Sequence, residues 1–447
     1  MRDVIRNLDL TTAVEDAQAR FSAANPRSGK AYAHACAVMP GGNTRTVLHF
    51  EPYPLVMAKG DGARLVDIDG HAYTDFLGEY SAGLYGHSHP VIHDAVVSAL
   101  TDGIVLCAPN RFEATLAAAL TARFPSCERV RFTNSGTEAN MMALNASRVV
   151  TDRSHVMVFA GAYHGGVLYF VHGAHPINAP YPLVIGEYND IDGTLNLIEN
   201  HAARLAAILI EPMMGAGGAI AGDREFLQAL RDAADRHGIV LIFDEVMTSR
   251  LSPGGVQALR DVRPDLTTFG KYLGGGLTFG AFGGRAEIMQ QFDPRRADAS
   301  PHAGTFNNNA LTMAAGLAGL TKLYTPEVAV RHNAAGDRFR ERLNERALKH
   351  NLPVQITGLG SIMCMHFQSG PIRRPADTDM TDPNLRVLFH LEMLHRGYYL
   401  AQRGFMSLSL PLSSADYDGF VTAFDDVLDS NTALFASSPA PGRTVSV

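Results

Sequence analysis

Cysteine is scarce in this chain. Cys36, Cys107, Cys127 and Cys364 are the only four in 447 residues, far apart and with no CxxC pair. That usage argues against a cysteine zinc site and a disulfide framework, and fits a reducing cytosol. No Lys/Arg block occurs; the basic residues are scattered and the formal net charge is -7. A nucleic-acid surface is therefore not expected. No apolar run reaches membrane-spanning length. The opening stretch, "MRDVIRNLDLTTAVEDAQARF", is broken by charges and has no apolar signal-peptide core. A soluble, cytoplasmic protein with no membrane partner is expected. No HExxH is present, and "GAGGAI" and "GLGSIM" each break GxGxxG before its third glycine. "GKY" lacks the Ser or Thr of a P-loop, so the nucleotide-binding readings have little support.

What is present is enough apolar content, 46%, for a large core in a chain too long for one typical domain. Residues up to about Phe50 read as a helix followed by a loop ending in "MPGGNTRTV". "ARLVDIDGHAYTDF" reads as a hairpin turning at Asp69-Gly70. Helices are expected near 91–100 and over 112–124. Then strand and helix alternate: "RVRFT", "SGTEANMMALNASRVV", "HVMVFA", "TLNLIENHAARL", "AAILIEP", "REFLQALRDAADRHG", "IVLIFDEV". Short, nearly uncharged apolar runs are the pattern of strands covered on both faces. Their alternation with helices implies an α/β domain with a mainly parallel sheet. From about Gly316 the segments lengthen, and "SIMCMHF" and "MSLSLPL" look strand-like. This predicts a smaller α+β domain. The expected division is an N-terminal segment 1–60, a large domain 61–315 and a small domain 316–447. The final "SSPAPGRTVSV" reads as a loose tail.

In open α/β sheets, ligands bind beyond the carboxyl ends of the strands. Polar groups collect there from separate segments: Ser135-Gly136-Thr137, Tyr163 in a glycine-rich turn, Glu211, Asp244 and Lys271. Ser135 with Glu138 reads as a capping box, an ordinary helix start. Gly136 and Thr137 add a functional reading, because a helix N-terminus receives phosphate. Asp244 ends an apolar strand, where a carboxylate needs a partner. Tyr163 alone would be a packed ring, and Lys271 alone a surface lysine. Together they supply a phosphate cradle, a ring face, an anion for a ring nitrogen and an amine for an aldehyde. Pyridoxal phosphate requires that set.

The chain resembles the class III, fold-type I pyridoxal-phosphate aminotransferases over nearly its whole length. "FTNSGTEANMMAL", "YHGG", "IEPMMGAGG", "FDEVMTSR", "TTFGKYLGGG" and "HAGTFNNNALTMAAG" carry the likeness by their order and spacing. "PGGNTRTV", "FDEVMTSR" and "GTFNNN" look like the glutamate-1-semialdehyde aminomutase branch. "EYSAGLYGHS", "TSRLSP" and "RGFMSLSLPL" look like its β-amino acid (β-phenylalanine) aminotransferases. The resemblance implies that Lys271 binds the cofactor aldehyde and shuttles a proton. Asp244 would hold the pyridine nitrogen protonated. Tyr163 would stack on the ring, with Val246 against its other face. Ser135, Gly136 and Thr137 would bind the phosphate, and Glu211 would sit near the ring hydroxyl. Thr305 would reach the phosphate of a neighbouring subunit, which implies a homodimer. Many relatives carry Gln where this chain has Met247. A buried Lys271 would have a lowered pKa. The neighbouring glycines would leave room for cofactor and substrate.

A transaminase binds two carboxylate substrates in turn, and arginine suits planar carboxylate capture. By the resemblance, Arg45 would hold a β-amino acid and Arg403 the α-keto acid, 2-oxoglutarate or pyruvate. Tyr80 and Tyr85 would line the side-chain pocket. The expected activity is a two-step amino transfer from β-amino acid to α-keto acid. The alternative is an aminomutase, although its arginine following Ser-Pro is absent here. A non-catalytic relative is disfavoured by the presence of both Lys271 and Asp244.

Overall fold

Short runs that are apolar throughout form the centre of the molecule. A computed structural model describes residues 9–378 and 382–436. The tail at 437–447 lies outside the described residues. Seven strands make the main sheet, in the order Arg129–Thr133, Gly280–Gly284, Leu266–Gly270, Val240–Asp244, Leu205–Ile210, His155–Phe159, Leu183–Gly186. Six run parallel, and Gly280–Gly284 runs antiparallel to both its neighbours. The three strands Leu205–Ile210, Val240–Asp244 and Leu266–Gly270 are buried at every position. Their side chains meet helices on both faces, which is why they show no alternation. In the helix Arg224–His237, Phe226, Leu227, Leu230, Ala233 and Ala234 form the buried stripe, a 3.6-residue period. Gly238 ends that helix at φ 61°, the left-handed cap expected of glycine.

The hairpin at Asp69-Gly70 forms between Arg64–Asp67 and Ala72–Asp75. It belongs to a four-stranded sheet with Met57–Asp61, and its far edge is Tyr398–Tyr399. The boundary expected at 61 therefore falls at the end of a strand whose sheet reaches into the C-terminal segment. The boundary expected near 316 also shifts. Gly316 lies inside the helix Ala310–Ala318, and a Cβ there would stand 2.1 Å from the Leu273 carbonyl oxygen. That helix thus packs directly beside the end of the Leu266–Gly270 strand. The second large core starts with the helix Pro326–Lys349, through Phe339, Leu343 and Ala347. The single N-terminal helix is two, Leu10–Ala24 and Pro26–Cys36, because Pro26 cannot continue the first and instead opens the second. Val14, Ala17 and Phe21 share a core with Leu388, Leu391 and Leu394. No helix among the described residues is long and apolar enough to cross a membrane.

Ile208 sits at the centre of the sheet with no exposed surface. Ile208→Ala should cost about 2–5 kcal/mol, read as a lower urea midpoint with an unchanged slope.

Candidate active site

Asp244 closes the Val240–Asp244 strand and is buried. Three donors satisfy it, and a fourth group braces them. Asn140 Nδ2 donates to Oδ2 at 2.8 Å, and His164 Nδ1 lies 2.8 Å from the same oxygen. The Val246 N–H donates to Oδ1 at 3.0 Å, and the Thr268 hydroxyl lies 3.4 Å from it. Thr268 is the register partner of Asp244 on the adjacent strand. Asn140 also donates to the His164 carbonyl at 2.9 Å and accepts from Thr268 at 2.7 Å. Asn140, His164 and Thr268 received no role from the sequence. One signal was available for Asn140: an asparagine inside a helix is unfavourable unless its amide has a partner.

Ser135, Gly136 and Thr137, the residues expected to form a phosphate cradle, open the helix Gly136–Thr151. The Glu138 N–H donates to Ser135 Oγ at 3.2 Å, so Ser135 is the cap. The reciprocal half of the expected capping box is displaced. The Glu138 carboxylate accepts from the Asn134 N–H at 2.8 Å, one residue earlier than the motif requires. Thr137 Oγ1 accepts from the Gly166 N–H at 3.2 Å. Gly165 adopts φ 123°, and a Cβ there would lie 2.1 Å from Thr137 Oγ1. The "YHGG" turn can thus approach the cradle only as glycine. Val246 packs against both Gly136 and Gly270, where an added Cβ would lie 2.8 Å and 2.9 Å from its methyls. One valine therefore fastens the cradle to the end of the lysine strand.

Tyr163 is 41% exposed and makes an edge contact with Tyr169 at 6.0 Å. Its N–H donates to Glu211 Oε1 at 2.9 Å, and the Gly215 N–H donates to Glu211 Oε2 at 2.9 Å. Burial raises the Glu211 pKa, with nearby His164 opposing and Asp244 adding to the rise. Glu211 pins the backbone under Tyr163. Met247 is buried against Gly215, where a Cβ would stand 2.5 Å from its sulfur. It fills space beside Glu211 without offering a donor.

Lys271 follows the Leu266–Gly270 strand in a left-handed conformation, φ 56°. Such a backbone persists in a non-glycine residue only when its surroundings hold it. Burial lowers the amine pKa; Arg403 and Arg45 push it the same way, while Asp244 and Glu211 oppose. Residues from four segments thus act on one amine. The glycines after it do not make room. A Cβ on Gly274 would lie 2.4 Å from Phe279 Cβ, and on Gly275 2.6 Å from Ala315. They let the lysine turn pack tightly onto the helix Ala310–Ala318. Only Gly276, of these three, has open space around it.

Arg45 and Arg403 approach the same ring. Their guanidinium carbons stand 5.6 Å and 5.4 Å from the Tyr80 centroid. Tyr80 stacks on Phe405 at 5.8 Å, and its hydroxyl donates to the Val47 carbonyl at 3.1 Å. Arg45 is ion-paired with Glu79. Tyr85 does not join this group. It is buried in a core cluster with Tyr272 and Tyr324, with Gly319 against its ring. Thr305 is exposed, beside Phe306 at 61% exposure. Among the described residues no group of three or more His, Cys, Asp or Glu is arranged to hold a metal.

The lysine carries a pH prediction. Its depressed pKa means that the unfolded chain binds more protons than the folded one, up to the ordinary value of 10.5. Apoprotein stability should therefore rise with pH through the window below 10.5. Lys271→Met should raise the thermal midpoint of the apoprotein, most at low pH and least near pH 10.5, as scanning calorimetry would show.

Residues 48–382 match the family model for class-III aminotransferases. A β-phenylalanine transaminase of Variovorax paradoxus is 48% identical over 422 residues, covering 94% of this chain and 97% of the relative. The crystal structure of a β-phenylalanine aminotransferase from that organism superposes with a TM-score of 0.94 at 48% identity, over 95% of this chain and 99% of that one. A glutamate-1-semialdehyde 2,1-aminomutase of Desulforudis audaxviator is 36% identical, covering 87% of this chain and 94% of the relative. A transaminase solved with pyridoxal phosphate bound superposes with a TM-score of 0.85 at 32% identity, over 92% of this chain and 98% of that one. The residues present fit that cofactor. A buried carboxylate, a glycine-tight helix start, a half-exposed tyrosine and a low-pKa amine meet at one rim. His164 Nε2 is also buried there without a partner. The chain belongs to the class-III aminotransferases, the pyridoxal-phosphate-dependent transaminases of fold type I.

Proposed function

We propose that this enzyme takes the amino group of a β-amino acid such as β-phenylalanine and passes it to an α-keto acid, 2-oxoglutarate or pyruvate, in two successive half-reactions. The observation that carries this reading is the pair of guanidiniums, Arg45 and Arg403, facing one tyrosine from opposite ends of the chain. A substrate carboxylate on either side would leave the amine-bearing carbon near Lys271, whose pKa both arginines depress. The 48% identity to a β-phenylalanine transaminase supports the donor class.

Pyridoxal phosphate, when bound, supplies the aldehyde for the amine and the electron sink for the carbon–hydrogen bond. The protein supplies the rest. Ser135, Gly136 and Thr137 receive the phosphate at a helix start. Asp244, held by Asn140, His164 and the Val246 N–H, would accept the ring N–H. Tyr163 and Val246 cover the two ring faces. Lys271, whose charged form burial disfavours, would take the proton from the substrate carbon and return it at the end. Glu211 holds the Tyr163 turn through backbone donors.

Thr305 is assigned to the partner's cofactor in a homodimer. Exposed Phe306 lies in the same stretch, and Asn110 donates to the Asn308 carbonyl at 2.6 Å. Ile104, Val105 and Leu106, a few residues before Asn110 in the chain, are exposed as well. A monomer would leave this apolar surface in water. Light scattering should give twice the chain mass.

Arg45 and Glu79 are both partly exposed, at 42% and 54% of their side chains, so their pair exchanges at little cost. Arg45→Ala should raise KM for β-phenylalanine roughly ten- to hundredfold, the loss of one charge-assisted contact, and Arg403→Ala should do the same for 2-oxoglutarate. Glu79→Gln should lower KM for the donor, because Arg45 then has no internal competitor. Unchanged KM values in both arginine variants would remove the assignment. Turnover of glutamate-1-semialdehyde with no keto acid present would favour the aminomutase instead.

A further inference from the structure

Arg250 is the largest side chain with no exposed surface. A guanidinium is charged at every ordinary pH, and burying one without a carboxylate is costly. Its partners are none of them acids. Nη1 donates to the Ser81 carbonyl at 3.3 Å and to Ser407 Oγ at 3.0 Å. Nη2 donates to the Leu408 carbonyl and lies 3.3 Å from His332 Nε2. Burial, with Arg250 itself adding, lowers the His332 pKa to about 3, so that ring is neutral and balances no charge. Nε has no partner at all.

The acceptors explain the location. Ser81 ends a left-handed run: Gly78, Glu79, Tyr80 and Ser81 have φ of 53°, 47°, 51° and 77°. Three of these are not glycine, and such a run survives only where the surroundings over-determine it. Ser407 and Leu408 follow Arg403 and Phe405 in the chain. The two segments touch directly. The Ser407 N–H donates to the Phe76 carbonyl at 2.8 Å, and a Cβ on Gly78 would stand 2.3 Å from the Ser407 carbonyl oxygen. Above this contact lies the stack of Tyr80 on Phe405, with Arg45 and Arg403 over the tyrosine. Glu79, which pairs with Arg45, comes from the same turn.

We propose that Arg250 is a positioning residue for substrate recognition. Its buried guanidinium clamps the left-handed 78–81 turn to the 405–408 segment and so sets the spacing of Arg45 and Arg403 across Tyr80. The inference rests on the reading of those two arginines as carboxylate binders. Arg250 touches neither substrate nor cofactor; it acts through the turn.

The test uses cofactor-loaded enzyme in single turnover. The apparent dissociation constant and the limiting rate are read separately, with β-phenylalanine for one half-reaction and 2-oxoglutarate for the other. Arg250→Met should raise both dissociation constants about tenfold or more and leave the limiting rates within about threefold, with cofactor absorbance unchanged. Arg250→Lys should restore part of the affinity, and Ser407→Ala should cost a few-fold by removing one clamp contact. If the methionine variant does not fold, the lysine and Ser407 variants decide by the same criterion. Unchanged dissociation constants, or limiting rates that fall in step with cofactor loss, would overturn the inference. Arg45→Ala and Arg403→Ala run alongside. If they too leave affinity unchanged, the carboxylate reading fails, and the clamp with it. If they weaken binding while the Arg250 variants do not, only the clamp fails.

Discussion

A carboxylate buried at the end of a strand must be given donors, and meeting that need at Asp244 organises the site. The donors come from three directions. Asn140 lies on the helix that begins at Gly136, so satisfying Asp244 also fixes that helix start. His164 is next to Tyr163, so the same carboxylate fixes the turn that carries the ring face. Thr268, three residues before Lys271 on the adjacent strand, donates to Asn140 and so braces the same group. Loss of any one donor leaves a buried acceptor short and loosens a different wall of the site. Val246 adds an apolar fastening between the cradle and Gly270, so polar and packing constraints agree.

Charge then tunes the amine. Burial is the largest influence on Lys271, and the two acids and two arginines around it act in opposition. The backbone at 78–81 and at Lys271 is left-handed, and in non-glycine residues surrounding structure must hold it so.

The sequence was most legible where one physical signal dominated. The buried parallel strands appear as uncharged apolar runs, and Gly238 marks its helix end. The strand Gly280–Gly284 carries no such signal. Three of its five residues are glycine, because a Cβ at Gly280 would stand 2.1 Å from the Ser135 carbonyl oxygen and one at Gly284 2.1 Å from that of Asp265. Close approach removed the side chains that periodicity depends on. The glycines after Lys271 were misread for a related reason: composition shows that space is available, not which neighbour fills it. The resemblance puts Tyr85 with Tyr80 at the side-chain pocket, but beyond the left-handed 78–81 turn the chain enters the core, and Tyr85 is buried there. Asn140 and Arg250 escaped notice because a lone polar residue in a helix or turn reveals its value only when its partners, far away in sequence, are brought to it.

Amino transfer in two separable halves at one site is tested most directly by mixing cofactor-loaded protein with β-phenylalanine and no keto acid, and following the cofactor absorbance. The starting band should be lost once per site, and 2-oxoglutarate or pyruvate should restore it with one amino acid formed per site. A band that does not change with β-phenylalanine would contradict it.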